Sequence, residues 1–309
     1  MFMVEYLSYD RSHVKPILKY VKDRGVKTLI LGSMSEIDLI LKEINASETL
    51  ITLIKHDLER PRVIVEDYLA LILTIYRYSE GIKPYTLIIV TGRDFVAIVS
   101  DDREFINKFK EALNINAYRI RELDVNVAIA VAMLNLIDVY YEILSKIGME
   151  IDELEDVLHK SSRLNIAILR SIKGTLMILR RVFYFSREIV SLLLGKGIYA
   201  ISRECERLLR EVYEDLAHII EIVEMQLDRL VDLRELHLSL ISLNLNEVMK
   251  KLTAINVIAL PLIIIAGIYG MNFEYMPELH LEYGYFTVLG FMAILTIVLT
   301  MFFRKIGWI

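Results

Sequence analysis

Two stretches of this chain, residues 252–273 and 283–303, contain no Asp, Glu, Lys, Arg or His. About 20 apolar residues are what a helix needs to cross the hydrocarbon core of a bilayer, and soluble cores seldom contain uncharged runs of this length. The flanks set an orientation. Lys250 and Lys251 precede the first run, Arg304 and Lys305 follow the second, and residues 272–282 carry Glu274, Glu278 and Glu282 but no Lys or Arg. Positive charge marks the cytoplasmic side, so both termini are expected inside a plasma or inner membrane and a short acidic loop outside. Trp308, the only tryptophan, falls just past the basic pair, where an interfacial anchor belongs. The start of the chain has no basic segment followed by an apolar one, which predicts no signal peptide and a cytoplasmic N-terminus. Two spans cannot enclose an aqueous path, so a pore would need several copies around an axis.

Between Gly197 and Pro261 there is neither glycine nor proline. Leu208, Val212, Leu216, Ile219, Val223, Leu227 and Leu230 recur there at helical spacing. A single helix of that length reaches about 95 Å, which predicts a stalk entering the first span and needing partners in a bundle. Spacing of three and four selects one face of it: Asn246, Met249, Thr253, Asn256, Leu260, Ile263, Gly267 and Gly270. An apolar seam would serve packing alone. One asparagine at such a seam can fix register, but two asparagines and a threonine beside an acidic mouth favour a water-filled path.

The composition of the whole chain combines an ordinary share of charge with an excess of hydrophobic residues. Charged residues make up 25% and hydrophobic ones 55%, which suits a soluble part joined to a membrane part. A net charge of −5 argues against a nucleic-acid partner, which would require a basic stripe. The lone Cys205 permits no intrachain disulfide or cysteine metal cluster. The six histidines show no paired metal spacing and there is no Gly-x-Ser-x-Gly elbow, so an enzyme is not expected.

The first span ends Gly267-Ile268-Tyr269-Gly270-Met271-Asn272-Phe273-Glu274-Tyr275-Met276-Pro277-Glu278-Leu279. In this the chain resembles the CorA-type magnesium transporters, whose signature is Gly-Met-Asn at the outer end of the first of two C-terminal spans. The resemblance implies an α/β N-terminal cytoplasmic domain, a long-helix stalk and two transmembrane helices in a funnel-shaped homopentamer. It also implies Mg²⁺ as the transported and regulatory ion, with Co²⁺ possible, and a selectivity filter at Gly270, Met271 and Asn272. Asn246, Met249, Leu252, Leu260 and Asn272 match pore-lining positions of the family. Met249 and Leu260 could close the path by dewetting or could simply pack. The chemistry of the motif agrees. Mg²⁺ gives up its waters reluctantly, and a ring of neutral Asn272 amides can hold the hydrated ion weakly enough to release it. The loop acids Glu274, Glu278 and Glu282 would attract cations from outside. Members moving Co²⁺, Ni²⁺ or Zn²⁺ share the motif. A non-conducting membrane-tethered scaffold is the reading from another class, and the polar seam and acidic loop count against it.

Residues 1–120 read as a cytoplasmic α/β domain. Strands are expected at 28–31, 68–76, 86–90 and 95–99, with a hairpin turn at 91–94 and helices near 36–44 and 102–113. Residues 121–197 read as a helical hairpin whose apolar periodicity is interrupted only at Gly148 and Gly174, with 186–197 as the turn before the stalk. The stalk is placed at 198–251, the first span at 252–271, the loop at 272–282, the second span at 283–303 and a basic tail at 304–309. Residues 211–228 contain six acids and no Lys or Arg. Like charges at helical spacing cost a few tenths of a kcal/mol per pair, a cost that cations, basic neighbours or water would offset. By resemblance Glu211, with Glu214 and Asp215 beside it, matches a regulatory Mg²⁺ site. The acid expected upstream of Arg60-Pro61 is replaced here by Leu53, with Asp57 and Glu59 the nearest substitutes. The second acidic run, at 150–156, reads as a solvated helix face, and Arg180 and Arg181 as ordinary flanking charges.

Overall fold

The computed structural model describes residues 5–10, 13–17, 27–56, 61–78, 81–115, 126–161, 164–195, 202–272, 276–277 and 281–309. They fall into two units, one of residues 1–157 and 165–231, the other of 158–164 and 232–309.

The first unit is built on a seven-stranded sheet. Its strands are β1 (Glu5–Asp10), β2 (His13–Ile17), β3 (Lys27–Gly32), β4 (Arg62–Val65), β5 (Leu69–Tyr78), β6 (Ile82–Thr91) and β7 (Phe95–Ser100), in the order β2-β1-β3-β7-β6-β5-β4. Only β3 and β7 run parallel, with Ile30 opposite Ala97; the others pair antiparallel. The central strands are near-continuous apolar runs because both faces are covered. On one face Ile30, Ala70, Ile72, Ile88, Val90, Ala97 and Val99 meet Ile37, Ile40 and Leu41 of α1 (Ile37–Glu43) and Leu50 and Ile54 of α2 (Glu48–His56). Residues one position away along the strands, Leu71, Leu73, Leu87, Ile89 and Ile98, are equally buried.

Helix α3 (Arg103–Ile115) begins at buried Asp102, whose carboxylate accepts the Glu104 and Phe105 amides at 3.0 and 3.2 Å and pairs with Arg77 at 2.7 Å. Helices α4 (Val127–Ser161) and α5 (Ile166–Leu194) follow. Fully buried Tyr140 of α4 donates its hydroxyl to the Thr74 carbonyl of β5 at 2.8 Å and packs its ring, tilted by 50°, against Phe183 of α5 at 4.5 Å. The expected strands, turn and helices of this region are found, and β1, β2, β4 and α2 are added to them. Gly148 and Gly174 lie inside α4 and α5. The break comes at Asn165, whose side chain caps α5 by accepting the Ala167 and Ile168 amides at 3.1 and 3.4 Å. The expected turn at 186–197 is also corrected. Helix α5 continues to Leu194, because Ser186, Ile189, Val190 and Leu193 form a buried stripe on it.

Helix α6 runs unbroken from Arg203 to Tyr269, 67 residues, with Pro261 inside it. At about 1.5 Å per residue it is about 100 Å long. Its part before residue 232 belongs to the first unit. There Gln226 donates to the Leu144 carbonyl of α4 at 2.9 Å, and the Arg187 guanidinium of α5 sits 4.5 Å from the Tyr213 ring. The second unit contains the rest of α6 and helix α7 (Gly284–Lys305).

Among the described residues three helices are long and apolar enough to cross a membrane: α4, α6 and α7. Burial separates them. The apolar stretch of α4 is 78% buried within its own unit, so α4 is a core helix, whereas those of α6 and α7 are 6% buried each.

Candidate functional site

In the second unit α6 presents two different faces. Ala254 is fully buried, and Ile258, Pro261, Leu262 and Ile265 are half-buried. Helix α7 shows the complementary stripe, with Val288, Met292, Leu295 and Leu299 half-buried and Phe303 buried. Each stripe is shielded within the second unit. The positions selected by sequence spacing, Asn246, Met249, Leu252, Thr253, Asn256, Leu260, Ile263, Gly267 and Gly270, are all exposed and lie on the other side of α6. Leu260 is 59% and Ile263 65% exposed, far above any residue of the shielded stripe. An apolar, partly polar helix face left bare in a single chain needs water, lipid or another copy against it.

The helix ends where the motif begins. The Gly270 amide bonds back to the Ala266 and Gly267 carbonyls at 3.0 and 3.2 Å, and Met271 to Ile268 at 3.2 Å. A side-chain carbon on Gly270 would lie 3.2 Å from the Ala266 carbonyl oxygen, so glycine suits this ending. Met271 and Asn272 follow, both exposed and outside the helix. Glu282 is exposed; Glu274 and Glu278 lie outside the described residues. At the other end of the stripe the Thr253 hydroxyl donates to the Met249 carbonyl at 2.8 Å, and Lys251 pairs with Glu247 at 2.8 Å.

The stalk acids behave unequally. Glu211 and Glu214 are exposed and Asp215 is half-buried. Burial, then the charges of Glu211, Asp138 and Glu214, raises the Asp215 carboxyl above its ordinary value, with His218 opposing. Burial also raises Asp138 of α4, and raises Tyr141, where Asp215 and Asp138 add to the effect. Asp138 was missed in the sequence; its signal was a lone acid in the apolar run that opens α4. Among the described residues no three His, Cys, Asp or Glu side chains converge closely enough to hold a metal ion. Glu211, Glu214 and Asp215 therefore do not make an ion site within one chain. Leu53 lies at the surface of α2, and its carbonyl takes the Arg62 guanidinium at 2.6 Å. Asp57, Glu59 and Arg60 lie outside the described residues.

Two readings of surface charge change. Arg180 is no mere flanking charge: it pairs with Glu224 of α6 at 2.7 Å and so offsets part of the acidic run. The acids at 150–156 are not simply solvated. Asp152 and Glu155 clasp Arg229 of α6 at 2.5 and 3.0 Å, and Glu150 accepts the Tyr78 hydroxyl at 2.7 Å.

Comparison with known proteins gives a consistent picture. Residues 34–305 match the CorA-like Mg²⁺ transporter protein family. The chain is 32% identical over 257 residues to the cobalt/magnesium transport protein CorA of Thermotoga maritima, covering 81% of this chain and 73% of that one. It is 24% identical over 317 residues to the protein of the same name from Methanocaldococcus jannaschii, across the full length of both. The complete structure of the Methanocaldococcus jannaschii CorA magnesium transporter superposes with a TM-score of 0.84 at 22% identity, covering 99% of each chain.

Proposed function

The chain belongs to the CorA-like Mg²⁺ transporter family of integral membrane transporters, and from that premise we propose that it admits hydrated Mg²⁺ passively through a pore shared by several copies. The observation that carries this is the exposed stripe of α6 from Asn246 to Gly270, which bears Asn246, Thr253 and Asn256 and leads to Gly270-Met271-Asn272. Relatives carry both cobalt and magnesium in their names.

Copies of α6 arranged with this stripe toward an axis, five in the expected homopentamer, surround the path, and α7 packs outside. Asn272 amides accept hydrogen bonds from the waters that Mg²⁺ retains, with Gly270 and Met271 completing the filter. Glu282, with Glu274 and Glu278, raises the cation concentration at the outer mouth. Residues 1–251 and 304–309 lie in the cytoplasm, and the membrane potential drives entry at about 2.3 kcal/mol per charge per 100 mV. Met249 and Leu260 supply apolar constrictions. Cytoplasmic Mg²⁺ at Glu211, Glu214 and Asp215, shared with an adjacent copy, relieves the mutual repulsion of these acids and holds the closed arrangement. No histidine or thiol lies on the stripe, which disfavours soft metals.

The test is flux of Mg²⁺, Co²⁺ and Zn²⁺ into liposomes holding the purified protein, with Asn272→Ala alongside. Mg²⁺ entry that follows an imposed potential and is lost in the variant supports the reading. Entry of Co²⁺ or Zn²⁺ alone reassigns the cargo. No flux of any ion in the absence of internal Mg²⁺ rejects the pore.

A further inference from the structure

Helix α7 ends in a hook. Gly307 takes φ +72°, a left-handed conformation that glycine adopts without steric cost. The Gly307 amide donates to the Arg304 carbonyl at 3.1 Å and the Trp308 amide to the Phe303 carbonyl at 3.0 Å. The apolar contact that completes this type of helix ending is also present, with the Phe303 and Trp308 rings 5.7 Å apart. An interfacial anchor needs none of this, since an indole on a frayed tail reaches headgroups equally well. The hook instead places Trp308 in one groove with Leu243, Asn246, Glu247, Met249, Lys250 and Thr253 of α6. Three of these six, Asn246, Met249 and Thr253, belong to the exposed stripe. Residues 241–253 of α6 are exposed at every position of the single chain, so within one chain little else holds the direction of this segment.

We infer that Trp308 is a positioning residue for conduction: its indole braces the inner end of α6 and fixes the direction in which Met249 and Asn246 face. This rests on the pore reading above. Removing the brace lets the Met249 constriction loosen, and ions then pass when internal Mg²⁺ should hold the path shut.

The experiment uses the full chain in liposomes under a fixed potential, with high internal Mg²⁺. Trp308→Ala and Gly307→Val are expected to raise the residual flux at least about fivefold, the lower end of coupling between distinct sites. Trp308→Phe and Gly307→Asn should stay near wild type, because Phe keeps a ring and Asn tolerates the left-handed conformation. A Cβ at Gly307 meets nothing within 4 Å, so the strain of a valine there comes from the left-handed backbone. The Mg²⁺ to Co²⁺ flux ratio, set at Asn272, should not change. Trp308 is the only tryptophan, so emission reports the hook directly: Gly307→Val shifts it to the red and Gly307→Asn does not. If Trp308→Ala fails to assemble, Gly307→Val, which retains the indole, decides. A conducting wild type with Trp308→Ala flux unchanged overturns this inference alone, as does a red shift in Gly307→Val without a change in flux. A wild type that carries no ion removes the pore reading and this one with it.

Discussion

Between Asn256 and Asn272 the exposed stripe of α6 holds Leu260, Ile263, Gly267 and Gly270, none with a hydrogen-bonding side chain. At about 1.5 Å per residue that is roughly 24 Å of path without a side-chain partner for the waters of a passing ion. Leu260, 59% exposed, stands about 6 Å along the helix from Asn256. Leu260→Asn places a neutral amide inside that stretch. One net hydrogen bond is worth about 1 kcal/mol, so a single amide of the ring engaging the ion's water lowers the barrier enough for about a fivefold rise in flux. The assay is initial Mg²⁺ entry into proteoliposomes at fixed potential without internal Mg²⁺. Leu262→Asn is the control. Leu262 is half-buried on the shielded stripe, and an unpartnered amide there costs about 1–3 kcal/mol, so that variant loses thermal stability and gains no flux. A rise in flux from Leu262→Asn with none from Leu260→Asn would refute the assignment of faces.

Other consequences are open to measurement. The raised Asp215 carboxyl is bound to its proton more tightly in the folded chain than in the unfolded one. Its ionisation therefore costs stability, a cost absent well below the ordinary value of 3.8 and growing as pH rises through the folded value. Asp215→Asn should raise unfolding stability at pH 7, by the roughly 0.2–0.5 kcal/mol of its like-charge pair with Glu211, and lose that gain in acid. In the same variant added Mg²⁺ should stabilise less than in wild type, and an equal Mg²⁺ response would remove Asp215 from the regulatory site. Tyr140→Phe, which removes the buried hydrogen bond to Thr74, should cost about 1 kcal/mol in denaturant unfolding and leave ion selectivity unchanged. Asn165→Ala, removing the cap of α5, should cost about 1 kcal/mol, seen as faster amide exchange in its first turn; unchanged exchange would show that other contacts hold the helix start.

The long helix was legible because nothing between Gly197 and Pro261 could stop it, and its two faces because polar residues recur on only one of them. The strands β3, β5, β6 and β7 were legible as apolar runs bounded by turn residues. The hairpin of β1 and β2 was not: Pro16 argues against a strand, yet β2 is the edge of the sheet, where a missing amide is tolerated. Helix α2 hides in Ile51-Thr52-Leu53-Ile54, a β-rich string, and is nucleated by Ser47, whose hydroxyl oxygen accepts the Leu50 amide at 3.2 Å. Glycines misled as punctuation in α4 and α5, where packing decides and the asparagine cap makes the break. The charge pairs of Arg180 and Arg229 join residues distant in sequence, which no local pattern encodes. Trp308 was visible as an interfacial anchor, but its hook depends on Gly307 taking a left-handed turn.

The most direct measurement is thiol accessibility along α6. Cys205 is the only cysteine and is buried, its thiol donating to the Asn126 carbonyl at 3.4 Å, so Cys205→Ser keeps a donor and clears the background. Single cysteines are then placed at Asn246, Asn256 and Ile263 on the exposed stripe, and at Ala254, Ile258 and Leu262 on the shielded one. A charged, water-borne thiol reagent should modify the first three in conducting protein and block Mg²⁺ flux while leaving the second three untouched. Modification of the shielded set with the stripe unreactive would contradict a water-filled path along this face.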